Sequence, residues 1–372
     1  MLNAIVRASI RHRLFVLVAV LLMAMGGLYA AATLPIDAVP DITSSQVVVN
    51  TSAPALAPVE IEAQITRRLE TALAGLPHVL EMRSISQFGL SQITLIFDDS
   101  TNIYFARQLV GERLEEVQEE LPFGTDPPSL APVATGLGEI YYVFLESDAL
   151  SLMELRTILD WQVKPRLRTV PGIIEVNSYG GEIKQFQVLA DPFRMRSYNV
   201  SLEALAEAVM ENNRNAGGAA IRKENEQQLV QGVGLIENEQ DLRNIVLTSK
   251  DGVPVFLGQV ANVVLGPALR QGTITKDGKG EAVAAIAVML MGENSRTVTD
   301  RVKQRVEEIR SELPPGVRLV GFLDRSRLVD ETLHTAGTNL WHGGVLVVGV
   351  LFLFLLQWRA GLIVSSIIPL AM

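Results

Sequence analysis

The chain has 372 residues, of which 48% are hydrophobic and 20% charged, and its formal net charge is −9. An acidic chain without a long basic run is not typical of nucleic-acid-binding proteins, and the absence of cysteine excludes disulfides, thiolate metal sites and cysteine nucleophiles. All 41 acidic residues lie between residues 34 and 339, so both ends of the chain are acid-free and apolar.

The first apolar stretch is residues 14–33, which contain no charged side chain. At about 1.5 Å per residue, a helix of this length spans roughly 30 Å, the thickness of a bilayer's hydrocarbon core. The arginines that precede it also fit a cleaved signal peptide, whose apolar region is only about 7–15 residues long. We therefore predict a retained transmembrane helix at 14–33, after a short segment at 1–13.

A second apolar run predicts a transmembrane helix at 340–358, and Arg359 separates it from a third run at 360–372. Because the third run is too short to span a bilayer, we expect this chain to be the N-terminal fragment of a longer membrane protein. Basic residues near helix ends mark the cytoplasmic side. Arg359 and the arginines at 7, 11 and 13 therefore place residues 34–339 on the opposite side of the membrane.

The polar middle of the chain contains four segments with apolar residues at the 3.6-residue spacing of an amphipathic helix. Their apolar faces are Ile61, Ile65, Leu69 and Leu73; Ile103, Ala106, Val110, Leu114, Val117 and Leu121; Leu152, Leu155, Leu159, Val163 and Leu167; and Val298, Val302, Val306, Ile309 and Leu313. Ser151 and Glu154 form a candidate capping box for the third helix.

Short β-branched runs flank these helices and predict strands at 46–51, 79–86, 92–97, 140–145, 173–177, 185–189, 282–291 and 318–322. The order strand, helix, strand, strand, helix, strand predicts a ferredoxin-like, split βαβ unit. The unit recurs, because LAGLPHVLEMRSIS around Pro77 resembles LRTVPGIIEVNSYG around Pro171. The pattern changes between residues 180 and 276, which we interpret as an insertion within the second repeat.

No catalytic motif accompanies this architecture. The stretch from Gly272 to Gly280 departs from a phosphate-binding loop, since Gly280 stands where a serine or threonine is required, and a hairpin turn fits it better. The sequence has no G-x-S-x-G and no H-E-x-x-H motif, and its four histidines are scattered. An enzyme is therefore the least supported class, and no cofactor is predicted.

Several motifs in combination resemble one transporter family. They are LPIDAVPDIT (34–43), TSAP (51–54), GLSQITLIF (89–97), IYFARQ (103–108), TGLGEIY (135–141), GEN (292–294) and IVSSIIPL (363–370). The likeness is to the resistance-nodulation-division (RND) efflux pumps, in particular the heavy-metal branch that exports cobalt, zinc and cadmium or copper and silver. It runs along the whole chain.

The resemblance implies an α+β protein of the bacterial inner membrane, a proton-driven antiporter with metal ions and protons as substrates. It also implies a homotrimer that docks with a periplasmic adaptor and an outer-membrane channel, with 215–234 as an arm toward a neighbouring protomer. The implied segments are a cytoplasmic N-terminus (1–13), a transmembrane helix (14–33), a first porter subdomain (34–131), the first part of a second porter subdomain (132–179), an inserted docking subdomain (180–276), the second part of that porter subdomain with its connection to the membrane (277–339), a second transmembrane helix (340–358) and the start of a third (360–372). The proton-relay acids would lie outside this chain.

Two carboxylates are candidate metal ligands. Glu139 lies in TGLGEIY, where the porter domain of the family meets its substrate path, and Asp160 lies on the polar side of the third helix. The alternative for both is a solvated or salt-bridged carboxylate. Met289 and Met291 form either a soft-metal pair on one face of a strand or ordinary core filling.

Two other functions stay open at this point. One is an RND pump for organic compounds, and the other is a membrane-anchored periplasmic scaffold or sensor that transports nothing. Further helices with a buried acidic pair, encoded beyond Met372, would favour transport over the scaffold.

Overall fold

The computed structural model describes residues 9–33, 43–54, 56–223, 226–250, 252–270 and 272–355, together with Arg359, Gly361 and Ile363. Apart from Gly361 and Ile363, the predicted third transmembrane segment at 360–372 lies outside the described residues, as do residues 1–8, most of the LPIDAVPDIT motif and residues 356–358. Helix α1 (Arg13–Thr33) coincides with the first predicted transmembrane helix.

The first βα unit follows α1. It consists of β1 (Gln46–Ser52), a helix α2 (58–73), β2 (Val79–Gln87), β3 (Leu90–Phe97), α3 (Ile103–Gln118) and β4 (Ser129–Leu130). Its strands are antiparallel in the order β2-β3-β1-β4. Residues alternate between buried and half-buried along β1 and β3, because both helices cover one face of the sheet. The four predicted core residues of α2 are at most 1% exposed.

The second unit opens with β5 (Glu139–Ser147), a helix α4 (152–168) and β6 (Ile173–Gly180). Both α2 and α4 contain a π-helical turn, Glu62–Thr66 in the first and Leu159–Val163 in the second. Pro165 follows two residues after the second turn and has no backbone N–H to donate to an α-helical hydrogen bond. The predicted capping box is present: Glu154 N donates to Ser151 Oγ, and Ser151 N donates to Glu154 Oε2.

A long insert then leaves the second unit. Its elements are β7 (Lys184–Ala190), α5 (Pro192–Tyr198), α6 (Leu202–Glu211), β8 (Ala216–Lys223), β9 (Glu226–Gly232), α7 (Glu239–Arg243), β10 (Val246–Lys250), β11 (Val253–Phe256), α8 (Leu257–Val260) and β12 (Ala261–Pro267). Its core is separate and includes Met195, Leu205, Leu242, Leu257 and Val263. β7 pairs with β12, which brings the two ends of the insert together, while β8 and β9 form a hairpin within 215–234.

The second unit resumes with β13 (Val283–Met289), α9 (Ser295–Glu312) and β14 (Val317–Asp324). Its strand order is β14-β5-β13-β6, which repeats that of the first unit when the strands are matched in chain order. Both orders are those of a split βαβ unit. The second core lies between this sheet and the helices α4 and α9. The two units therefore share one topology, and the insert separates the second and third strands of the second unit.

The last described helix, α10 (Arg325–Leu355), begins 15 residues before the predicted start at 340. Residues 325–339 continue the helix with polar and charged side chains, which hydropathy alone does not include in a membrane span. Within the described part of the chain, α1 and α10 are the two helices long and apolar enough to cross a membrane.

Candidate functional site

A β-bulge at the start of β5 determines where Glu139 lies. Ala287 on β13 pairs with Tyr141, and the next residue, Val288, pairs with Glu139, so Ile140 is the extra residue. Ile140 is fully buried in the second core. In a regular strand, Glu139 would share the core face with Tyr141, but the bulge turns Glu139 to the face of the sheet that the helices leave open.

Glu139 forms a hydrogen bond with Tyr142 on this face. The Tyr142 hydroxyl donates to Glu139 Oε2. Burial raises the pKa of Tyr142 to about 12, and the hydrogen bond and negative charge of Glu139 act in the same direction. The hydroxyl therefore stays protonated at physiological pH and fixes one oxygen of the carboxylate.

A cavity of about 810 Å³ adjoins Tyr142. It is lined mainly by apolar side chains of the open face, including Phe144, Ile286 and Phe322, and by two arginines, Arg156 and Arg270. The Phe144 and Phe322 rings meet edge to face, with centroids 5.2 Å apart. Tyr142 thus lines a large, mostly apolar space with two arginines, and Glu139 is linked to this space through its hydrogen bond with Tyr142.

Asp160, the second predicted ligand, is held by protein donors on both oxygens. Arg156 Nε donates to Asp160 Oδ2 at 2.7 Å, and Ser178 Oγ donates to Asp160 Oδ1 at 2.6 Å. Arg156 Nη1 also donates to the carbonyl oxygen of Gly180 at 2.5 Å. These bonds connect α4 to β6, so a metal ion would have to displace two donors to bind Asp160.

Sequence reasoning missed Glu175 as a neighbour of the site. Val288 pairs with Glu139 on one side and with Glu175 on the other. Since adjacent strands lie about 4.8 Å apart, the two glutamate backbones are separated by roughly 10 Å. Two cations already face Glu175: Arg168 Nη2 lies 3.5 Å from its Oε2, and Lys164 Nζ lies 4.0 Å from its Oε1. Only the strand register, which the sequence does not display, identifies this proximity.

The methionine pair is not formed. Met289 ends β13 and is 7% exposed within the second core, which agrees with core filling. Met291 lies in the turn after the strand, so the two sulfurs do not share a strand face. Among the described residues, no three or more histidine, cysteine or acidic side chains form a group that could hold a metal ion. Glu139 and Asp160 therefore belong to no complete metal site within that part of the chain.

Comparison with known protein families identifies the family of this chain. Residues 5–372 match the AcrB/AcrD/AcrF family. The chain belongs to this family. The resemblance predicted from the sequence motifs is thereby confirmed, and the family consists of transporters rather than enzymes.

Among the curated proteins similar to this chain, one is named for cobalt, zinc and cadmium resistance and another for cation efflux. The chain is 45% identical over 379 residues to "Protein HelA" of Legionella pneumophila and 44% identical over 381 residues to the "Cobalt-zinc-cadmium resistance protein CzcA" of Cupriavidus metallidurans. It is 36% identical over 375 residues to the "Cation efflux system protein CusA" of Escherichia coli. Each alignment covers 100% of this chain and 36% of the relative, so the chain spans just over a third of their length.

A solved structure agrees with these relatives. The crystal structure of a heavy metal efflux pump superimposes with a TM-score of 0.90 at 39% sequence identity. The match covers 98% of this chain and 37% of the pump. The mixed α/β fold is therefore that of an RND heavy-metal pump.

Proposed function

We propose that this chain supplies the first transmembrane, porter and docking parts of an inner-membrane pump that exports heavy-metal cations. The observation that carries the proposal is the 44% identity, over the whole chain, to a cobalt-zinc-cadmium resistance protein. The TM-score of 0.90 to a heavy metal efflux pump agrees with it.

The proposed parts follow the sequence expectation. The first unit corresponds to the porter subdomain at 34–131, the second unit to the one at 132–179 and 277–339, and the insert to the docking subdomain at 180–276. The helices α1 and α10 would cross the inner membrane, since their apolar side chains are exposed in the structure. Both units would lie in the periplasm, because the basic residues near the helix ends mark the cytoplasmic side. Proton antiport, a homotrimer, a periplasmic adaptor and an outer-membrane channel complete the proposal, and the β8–β9 hairpin is the candidate arm toward a neighbouring protomer.

Within the pump, we assign Glu139 to the metal path. Carboxylate oxygens suit divalent cations such as Zn²⁺ and Co²⁺. Glu139 is on the open face, and Tyr142, which lines the large cavity, orients it through the bond to Oε2. Asp160 is the weaker candidate, because Arg156 and Ser178 occupy both of its oxygens. Protein outside this chain would supply the remaining ligands.

Metal resistance tests this assignment. The full-length gene would be expressed in a strain that lacks its own metal pump, and growth measured with zinc, cobalt, cadmium, copper and silver. Glu139→Gln should lower resistance to a divalent metal at an unchanged protein level, because the amide is a far poorer metal ligand. Glu203→Gln, at an exposed position in the insert, should behave like the wild type. Wild-type resistance in Glu139→Gln would remove Glu139 from the metal path.

A further inference from the structure

The start of α10 is fastened to the second unit by a group of charged and hydroxyl side chains. Lys303 Nζ on α9 lies 2.6 Å from Asp324 Oδ2 and donates to Ser326 Oγ at 2.7 Å. Ser326 donates to Asp324 Oδ1 through both its backbone N, at 2.9 Å, and its hydroxyl, at 2.6 Å. Burial alone would raise the pKa of Asp324, but the bonds from Lys303 and Ser326 outweigh it and hold that pKa below its usual value.

The first turn of α10 is packed against the unit, whereas the rest of the helix is not. Ser326 is 2% exposed and Val329 is fully buried. Arg296 Nη2 on α9 lies 3.1 Å from Asp330 Oδ1 and adds a second ion pair across the same junction. From Glu331 to Phe354, the described side chains are exposed or half-buried. Among the described residues, the contacts between α10 and the unit are therefore concentrated in this first turn.

The same turn also contacts the segment that carries Glu139. Arg325 Nη1 donates to the carbonyl oxygen of Leu137 at 2.5 Å, two residues before Glu139. On the other side of Glu139, Asp324 pairs with Tyr141, and Leu323 pairs with Tyr142. Residues 323–325 thus hold the Glu139 segment from both sides, in continuous covalent connection with α10.

We propose that Lys303 and Arg325 are positioning residues that make the start of α10 and the 137–142 segment move as one body. Lys303 fixes the first turn of α10 to α9, and Arg325 transmits the position of that turn to the backbone beside Glu139. The mechanical coupling is inferred only from the contacts of Lys303 and Arg325 described above. Its consequence, that a displacement of α10 in the membrane repositions Glu139 toward or away from a metal ion, rests on the proposed function.

Hydrogen exchange of the full-length protein in detergent tests the coupling directly. Lys303→Met should raise amide exchange in residues 325–331 and also in 135–142, by about tenfold, because losing one partner of a charged hydrogen-bonded pair frees both segments. Lys303→Arg should restore the wild-type rates. Arg327→Gln, at an exposed arginine in the same turn, is the matched control and should leave both segments unchanged.

A double variant shows whether Arg325 carries the effect. In an Arg325→Gln background, adding Lys303→Met should still loosen 325–331, but the further rise in 135–142 should be smaller than in the wild type, because the Arg325 bond is gone while the pairing of Asp324 with Tyr141 still connects the two segments. If Lys303→Met leaves exchange in 135–142 unchanged while 325–331 loosens, the two segments are independent and the proposal is wrong.

Transport gives a readout that a merely structural role would not produce. In vesicles with the full-length pump, Lys303→Met should lower the maximal rate of Zn²⁺ movement at an unchanged half-saturating concentration, and Lys303→Arg should recover the rate. An equal loss in both lysine variants would contradict the positioning role. If the wild type moves no metal, the proposed function falls, while hydrogen exchange still decides the coupling.

Discussion

Ile140 is the residue on which the geometry of the candidate site depends. As the extra residue of the bulge, it enters the core and leaves Glu139 beside Tyr142. The resemblance to the metal-pump family singled out Glu139, but alternation along a strand would have placed its side chain on the core face. Bulges arise from the pairing of two strands, so the sequence of one strand does not reveal them.

Tyr142 provides a test of this geometry at alkaline pH. Its pKa is raised to about 12 in the folded protein, mainly by burial, against 10.0 for an ordinary tyrosine. The stabilisation from keeping Tyr142 protonated is therefore complete below about pH 10 and is lost as the pH rises toward 12. Unfolding free energy measured from pH 9 to 12 should fall more steeply for the wild type than for Tyr142→Phe. Parallel profiles would contradict the half-buried Tyr142–Glu139 pair.

Gly180 is a position where only glycine fits. Its φ is +68°, and an added Cβ would lie 2.2 Å from the carbonyl oxygen of Ala282 and 2.7 Å from Ile274. Gly180→Ala should therefore destabilise the second unit by about 2–3 kcal/mol in denaturant unfolding.

Gly111 is the matched control for that substitution. It lies inside α3 with nothing within 4 Å of an added Cβ. Gly111→Ala should instead stabilise the protein by about 0.5–1 kcal/mol, because alanine favours a helix interior. Equal effects of the two substitutions would show that the backbone at Gly180 is not constrained as described.

At the scale of elements, periodic patterns predicted the main helices and strands well. Apolar spacing located α2, α3, α4 and α9, because each packs one face on a sheet. The π turns and the two-residue strand β4 escaped prediction, since they depend on tertiary contacts rather than on local periodicity. In the first π turn, for example, the Thr66 hydroxyl bonds with those of Ser86 and Ser91, which lie on two different strands.

The capping box of α4 yields a prediction with a definite pH dependence. The backbone and hydroxyl bonds from Ser151 hold the pKa of Glu154 below its usual value of 4.5. The stabilisation from these bonds is fully present above pH 4.5 and is lost as the pH falls through the lowered pKa of Glu154. Ser151→Ala should lower the melting temperature at pH 7, and the gap to the wild type should narrow in acid. A gap that stays constant with pH would contradict the role of Glu154 in the cap.

At the scale of the whole molecule, the insert is a unit with its own core whose ends meet. Lys184 pairs with Pro267, so the two ends of the insert are neighbouring strand residues. Replacing residues 185–266 by a short glycine-serine linker should leave the second core folded, because its buried residues come from outside the insert. Limited proteolysis should yield a resistant fragment that contains β13 and α9. Rapid digestion of those elements would show that the second core needs the insert.

Transport by the full-length protein tests the central claim most directly. The purified pump would be placed in liposomes, and movement of Zn²⁺, Co²⁺ and Cu⁺ measured with and without a proton gradient. The proposed function predicts a metal flux that requires the gradient and that Glu139→Gln reduces, with the matched variant Glu203→Gln unaffected. A pump that moves an organic cation under the gradient, but none of these metals, would contradict it.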